Sequence, residues 1–139
     1  MPHRTKDKGD QGFGYVVADL IANGIKVCVP LSDHLAFDLV AVSDLGQLKR
    51  VQVKYKSSKE GVLEIDRRKQ LGLGRHTPRE REAVDVYAVF CPETRSIYYV
   101  RSEELASSST FTLRLDEPGG RNTRNSRMAA DFIDATRIW

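Results

Sequence analysis

Two β-prone segments carry polar residues at fixed places and decide how this chain folds: Phe37-Asp38-Leu39-Val40-Ala41-Val42 and Arg50-Val51-Gln52-Val53-Lys54-Tyr55-Lys56. Their valines and aromatic residues are typical of strands. The short connection Asp44-Leu45-Gly46-Gln47 between them is typical of a hairpin turn. Because side chains alternate along a strand, Gln52 and Lys54 share one face, while the intervening valines point into a core.

The length of the hairpin loop decides whether Asp38 joins this polar face. A three-residue loop, Leu45 to Gln47, places Asp38 opposite Lys54. A two-residue loop instead pairs Asp38 with Val53 and turns the carboxylate away. A site that combines the carboxylate with the amide and the ammonium therefore requires an odd-length loop or a bulge of the same effect. On that condition we predict that the three groups converge at the mouth of a small sheet.

These three groups suit the hydrolysis of a phosphodiester. Mg²⁺ binds hard oxygen ligands, activates water and neutralises developing charge, and we expect Mn²⁺ to substitute for it. Asp38 is the predicted principal ligand, and the Gln52 side-chain oxygen and the Val53 main-chain carbonyl are the predicted neutral ligands. Lys54 is predicted to orient the attacking water or to stabilise negative charge in the transition state. The alternative is an ordinary cross-strand ion pair between Asp38 and Lys54 on a solvated face.

The rest of the chain predicts one mixed α/β domain over residues 1–139. Residues 1–8 are predicted to be flexible, and residues 70–82 to form a mobile loop that faces DNA. Apolar residues at helical spacing, from Phe13 to Ile21, predict an amphipathic helix that ends at Gly24. The other expected elements are strands at 25–29, 37–42, 49–55, 84–90 and 96–100, a short edge strand at 111–115, a short helix at 64–70 and a closing helix at 128–138.

Composition excludes several classes of protein. The hydrophobic fraction of 40% and the charged fraction of 29% are those of a globular chain. No apolar stretch reaches the length of about 18 residues that a membrane span needs, and the first residues lack the apolar run of a signal peptide. We therefore expect no membrane partner and a cytoplasmic protein, associated with the nucleoid when bound to DNA. Cys28 and Cys91 lie in apolar stretches and are predicted to be buried, reduced thiols.

Basic residues are concentrated in the middle of the chain. From Lys49 to Arg81 there are eleven Lys and Arg residues against four Asp and Glu, a net charge of +7, so the remainder carries −4. Positive charge concentrated in one segment attracts a polyanionic partner, and we expect that partner to be double-stranded DNA. The alternative is a solvated basic face that binds no partner. No glycine-rich segment has the ending of a nucleotide-binding loop, so no nucleotide cofactor is expected. The predicted DNA-binding residues are Lys56, Arg67, Arg68, Lys69, Arg75, His76, Arg79 and Arg81.

The order of these features resembles a known family. Asp38, thirteen intervening residues and then Gln52-Val53-Lys54, behind an amphipathic helix and three strands, resemble the PD-(D/E)XK nuclease superfamily, in the variant where Gln replaces the second acid. From residue 9 to about 135, the chain is similar to group I intron-encoded homing endonucleases of that superfamily. The segments that carry this resemblance are Gly9-Asp10, Gly24, Asp85-Val86-Tyr87-Ala88-Val89, Tyr98-Tyr99-Val100 and Leu113-Arg114-Leu115. The resemblance implies a restriction-endonuclease-like core, αβββαβ, with a central mixed sheet flanked by helices.

The chain departs from the family at the first helix. Members often carry a Glu there as a further metal-site ligand, and the matching position is Phe13. Asp10 and Gln11 are the nearest substitutes, although Asp10 is also expected as a simple helix N-cap. A site with so few acids predicts weak metal affinity in the free protein, because each carboxylate contributes a large attraction to a divalent ion.

These observations lead to a Mg²⁺-dependent endodeoxyribonuclease of the homing type. Cleavage of both strands by so small a subunit calls for two active sites, and the resemblance likewise implies a homodimer or a homotetramer. A Holliday-junction-resolvase-like nuclease would share the metal site and prefer branched DNA. A catalytically inactive DNA-binding protein is the alternative of a different class, and Phe13 favours it.

Overall fold

The computed structural model describes residues 4–67, 83–116 and 126–139, and within them it contains one long helix, eight strands and three short 3₁₀ helices. This architecture confirms the predicted mixed α/β fold. The longer elements are α1 (Arg4–Ala22), β1 (Lys26–Cys28), β2 (Leu39–Val42), β3 (Leu48–Tyr55), β4 (Val62–Asp66), β5 (Val86–Cys91), β6 (Ser96–Arg101), β7 (Thr110–Arg114) and β8 (Ser126–Met128). The 3₁₀ helices are Ser102–Glu104, Ala129–Phe132 and Ala135–Ile138.

The strands form two mixed sheets. The first has the order β1-β2-β3-β5-β6 and is antiparallel except for the parallel pair β3–β5; the second has the order β4-β7-β8, in which β7–β8 is parallel. On one face of the first sheet, Val16 and Leu20 of α1 pack in a core that includes Val51. On the other face, a second core joins β5 to the buried residues of β4 and β7. Since Val51 faces α1, alternation along β3 turns Gln52 and Lys54 toward the opposite face.

Helix α1 confirms the predicted amphipathic helix and extends it toward the N-terminus. Gly24 has φ of +77°, the left-handed conformation with which glycine ends a helix. The helix begins at Arg4, so it includes part of the segment 1–8 that was predicted to be flexible, and Asp10 lies inside the helix instead of capping it. The polar residues of the first turns are exposed, because an established helix can be extended by residues that bury nothing.

Several local predictions need correction. Residues 64–66 form part of β4, not of a short helix, because Leu63 and Ile65 alternate inward and pair with β7. The predicted edge strand near residue 111 is the middle strand of the second sheet. The predicted closing helix is replaced by the end of β8 and two 3₁₀ helices. Cys91 is buried, but Cys28 is exposed on the outer strand β1.

The hairpin of β5 and β6 was predicted correctly, and every residue of β5 is buried. The predicted loop at 70–82 and the end of the predicted helix at 64–70 lie outside the described residues. Among the described residues there is no helix with the length and apolar character that a membrane span requires.

Candidate active site

The hairpin of β2 and β3 has the odd-length loop that the site requires. Leu39 lies opposite Val51 and Val42 lies opposite Leu48, so five residues, 43–47, form the connection. The Gln47 carbonyl accepts the Ser43 N–H at 2.9 Å inside this loop. The predicted three-residue loop was therefore too short, and the register does not place Asp38 opposite Lys54. The loop nevertheless has an odd number of residues, as predicted.

Asp38 lies where β2 meets β3. Its N–H donates to the Val51 carbonyl at 2.9 Å, although Leu39 is the residue opposite Val51, which is the two-against-one arrangement of a β-bulge. Its carboxylate oxygen Oδ2 accepts the Val53 N–H at 2.7 Å. Because the N–H and C=O of one strand residue point to the same edge, the Val53 carbonyl also points toward Asp38.

Gln52 has a buried side-chain acceptor without a donor, on the same strand as the Val53 N–H that binds Asp38. Its side chain is only 8% exposed, and its Nε2 donates to the Ala36 carbonyl at 3.0 Å, two residues before Asp38. That bond fixes the orientation of the amide. The other end, Oε1, is buried and has no hydrogen-bond donor among the described residues. A buried acceptor without a partner costs free energy, and an amide oxygen is a ligand that hard cations accept.

Lys54 is partly buried and lies near two carboxylates. Burial lowers the pKa of Lys54 from its ordinary value, and Asp66 and then Asp38 oppose that shift by attracting the charged form. Asp66 is the residue that sequence reasoning missed, because it counted only as one acid within a basic segment. The alternation of β4 could have found it, since it places Asp66 on the face opposite to Leu63 and Ile65.

An open cleft of about 370 Å³ separates α1 from the end of the β2–β3 hairpin. It brings Asp10, one of the two predicted substitutes for the missing Glu, to the same cavity as Asp38. Gln11, the other substitute, is exposed and does not line the cleft. The lining residues are Lys6, Gly9, Asp10, Phe13, Asp38 and Val53.

The donor set fits a hard divalent ion with few acidic ligands. Asp38 offers a carboxylate, Gln52 a buried amide oxygen without a donor, and Val53 a main-chain carbonyl that points toward the carboxylate. Within the described ranges, no group of three or more His, Cys, Asp or Glu side chains is arranged to bind a metal ion. A metal site built from this set would therefore depend on neutral oxygens, and that ligand set stays a prediction.

The predicted DNA-binding residues divide into three groups. Lys56 is exposed and lines a larger groove, of about 920 Å³, together with Lys59 and Arg114. Arg67 is 8% exposed, and its guanidinium donates to the carbonyls of Ala106 and Ser108 at 2.9 Å each. These bonds hold the guanidinium inside the fold, and the contact of Arg67 with DNA stays a prediction. The others, Arg68, Lys69, Arg75, His76, Arg79 and Arg81, lie outside the described residues.

A clamp between β3 and the start of β5 holds the strand that carries the site. Asp85 accepts the Arg50 main-chain N–H at 2.8 Å and two guanidinium N–H groups at 3.0 Å each. These bonds lower the pKa of the Asp85 carboxyl and raise the pKa of Arg50. Gln52 is two residues from this clamp, so its position along the sheet is well defined.

The family model described as PD-(D/E)XK endonuclease matches residues 3–135, nearly the whole chain. The chain belongs to the PD-(D/E)XK endonuclease family. Membership confirms the resemblance inferred from Asp38 and the Gln52-Val53-Lys54 segment, and it supports a nuclease.

Two solved structures are similar to this chain. The bacterial homing endonuclease I-Ssp6803I is 25% identical, with a TM-score of 0.68, over 96% of this chain and 91% of that protein. The Holliday junction resolvase Hjc of Archaeoglobus fulgidus is 17% identical, with a TM-score of 0.48, over 77% of this chain and 84% of that one. No curated protein sequence matches.

Proposed function

We propose that this PD-(D/E)XK protein is a Mg²⁺-dependent endodeoxyribonuclease of the homing type that hydrolyses phosphodiester bonds of double-stranded DNA. The observation that carries the proposal is the buried Gln52 Oε1, which has no donor among the described residues and lies on the strand that bonds Asp38. The likeness to a bacterial homing endonuclease over nearly the full length of both chains supports the homing type.

The metal would be held by the Asp38 carboxylate, the Gln52 amide oxygen and the Val53 carbonyl. When bound, Mg²⁺ supplies charge neutralisation at the phosphate and makes a water molecule more acidic. Asp10 supplies a second carboxylate from α1 to the same cleft, one turn from the position where Phe13 replaces the family's Glu. This arrangement supports a working site despite that replacement.

Lys54 acts on the charge that develops during hydrolysis. Its ammonium is partly buried, where electrostatic interactions are stronger than in water. Burial lowers the pKa of Lys54, and Asp66 and Asp38 oppose that shift by attracting the protonated form, which is the form that stabilises extra negative charge in a transition state. We assign to it the stabilisation of that charge or the orientation of the attacking water.

The proposed partner is double-stranded DNA, and the proposed assembly is a homodimer or a homotetramer. Lys56 and Lys59 line the larger groove next to the strand that carries Lys54. Arg114 and the acids Glu60, Glu64 and Asp66 line the same groove, so it presents charges of both signs. Two copies related by a two-fold axis would present one active site to each strand of a duplex.

The test is the nicking of supercoiled plasmid DNA by the wild type and two variants, Lys54→Ala and Lys49→Ala, each with Mg²⁺ and with EDTA. Lys49 is a matched control, because it lies on the same strand and the exchange removes the same charge. We expect nicking that requires Mg²⁺, disappears in Lys54→Ala and persists in Lys49→Ala.

A plasmid can lack a rare target, so a negative result is repeated in Mn²⁺ with a library of randomised duplexes. Absence of cleavage there, together with salt-sensitive DNA binding, would overturn the proposal in favour of a DNA-binding protein without catalysis. Cleavage that continues in EDTA or in Lys54→Ala would contradict the assigned site.

A further inference from the structure

The wall of the active-site cleft that α1 forms carries a cation with no assigned task. Lys6 lines the cleft opposite Asp38 and Val53, one helical turn before Asp10. Its side chain is exposed, and no residue in the described part of the chain forms an ion pair or hydrogen bond with it. Gly9, between Lys6 and Asp10, has no atom within 4 Å of where a Cβ would be, so nothing fills the middle of this wall.

The charges of the cleft indicate what it accepts. Lys6 contributes +1, and Asp10 and Asp38 contribute −1 each, so the lining carries −1. One divalent ion changes this to +1, which matches the single negative charge of a phosphodiester. A phosphate oxygen bound there would lie between Asp38 and Val53 on the sheet side and the Lys6 ammonium on the helix side.

We propose that Lys6 is a positioning residue that binds a backbone phosphate of the DNA strand entering the cleft and fixes that strand against the metal ligands. This inference rests on the proposed nuclease function. This phosphate contact comes from α1, whereas the other cations lie on β3 and in the larger groove. The DNA strand is therefore held from two sides.

Lys8 provides an internal comparison. It lies two residues further along the same helix, carries the same charge and is exposed, but its ammonium is 5.9 Å from the centre of the Tyr55 ring and it does not line the cleft. A general attraction between α1 and DNA would involve Lys6 and Lys8 alike. A phosphate contact inside the cleft involves Lys6 alone.

The experiment measures binding to one duplex, recovered from a randomised library by binding to the wild type in Ca²⁺. Affinity is followed by fluorescence anisotropy in Ca²⁺ across a range of salt concentrations for the wild type, Lys6→Ala, Lys6→Arg and Lys8→Ala. Losing one phosphate contact reduces the slope of log affinity against log salt by about 0.9, which at about 50 mM salt is roughly a ten-fold loss of affinity. Lys6→Ala should show that change, Lys6→Arg should restore the wild-type slope, and Lys8→Ala should resemble the wild type.

The inference would be overturned if Lys6→Ala and the wild type had the same slope of log affinity against log salt. It would also be overturned if Lys6→Ala and Lys8→Ala lost DNA affinity equally. Thermal unfolding should be unchanged in Lys6→Ala, because an exposed helical lysine is replaced by a strong helix former. Cleavage of the same duplex in Mg²⁺ separates the two proposals. If the wild type cleaves the duplex and Lys6→Ala binds and cleaves it equally well, only the assignment of Lys6 is wrong. If the wild type binds the duplex without cleaving it, the proposed nuclease function is wrong. If the library yields no bound duplex, both proposals are wrong.

Discussion

Replacing Gln52 by Glu tests the buried amide oxygen that supports the proposed metal site. The variant restores the second acid of the family motif, but without a metal it buries a carboxylate next to a main-chain carbonyl. Gln52 Nε2 donates to the Ala36 carbonyl, and an ionised Glu has no donor to offer it. The site is only 8% exposed, so water cannot compensate fully for the lost bond.

The magnitude follows from these contacts. The lost hydrogen bond costs about 1 kcal/mol, and the poorly solvated charge adds about 2 kcal/mol or more. For 139 residues the unfolding entropy is about 0.3 kcal/mol/K, so a loss of about 3 kcal/mol lowers Tm by about 10 °C. A divalent ion at about one hundred times its Kd returns about 2.7 kcal/mol, which nearly cancels the loss.

The assay is thermal unfolding in EDTA and in Mg²⁺, with Gln47→Glu as the matched control. Gln47 lies in the exposed loop of the same hairpin, so the same chemical change should alter stability by less than about 0.5 kcal/mol there. We expect a large loss for Gln52→Glu in EDTA that Mg²⁺ reverses. Unchanged stability in EDTA, or a loss that no metal ion reverses, would show that Oε1 does not face a metal site.

Three further substitutions test the framework around the site, each by unfolding of the variant beside the wild type. Arg67→Met removes donors to two main-chain carbonyls and should cost about 2 kcal/mol without changing the salt dependence of DNA binding; a smaller salt slope would mean that Arg67 contacts DNA. Tyr99→Phe removes the hydroxyl that donates to Asp19 at 2.6 Å and should cost about 1 to 2 kcal/mol, whereas wild-type stability would mean that this bond contributes nothing. Arg50 lowers the pKa of Asp85 in the folded protein. The stability that this pair contributes is therefore fully present above about 3.9, the pKa of an Asp in the unfolded chain. It is lost as the pH falls through the lower pKa that Asp85 has in the folded protein. Asp85→Asn should therefore be less stable than the wild type at neutral pH and approach it below about pH 4; a gap that does not depend on pH would refute this linkage.

The sequence was sufficient where the structure depends on near neighbours. The hairpin of β2 and β3 was predictable because its strands follow one another, and the same is true of β5 and β6. Gly24 marked the end of α1 because the left-handed conformation there favours glycine. The exact hairpin register was not predictable, since it depends on a bulge at Asp38 and a five-residue loop.

The sequence was insufficient where distant segments meet. β4 pairs with β7 across a long stretch of chain, and the charged Glu64 and Asp66 obscured its inward-facing apolar residues. Arg67 looked like one member of a basic cluster, because the carbonyls that bury it belong to Ala106 and Ser108, about forty residues away. The nearness of Asp66 to Lys54 depends on the same long-range packing.

Asp38 is proposed to hold the catalytic metal, and single-turnover cleavage by Asp38→Asn tests this assignment most directly. Asn can still accept the Val53 N–H, so the hairpin keeps its bond while the carboxylate is lost. The measurement compares cleavage rates of one bound duplex across a range of Mg²⁺ concentrations, with DNA affinity measured in parallel. We expect Asp38→Asn to bind the duplex at least as tightly as the wild type and not to cleave it at any Mg²⁺ concentration. Cleavage by Asp38→Asn at the wild-type rate would show that Asp38 does not hold the catalytic metal.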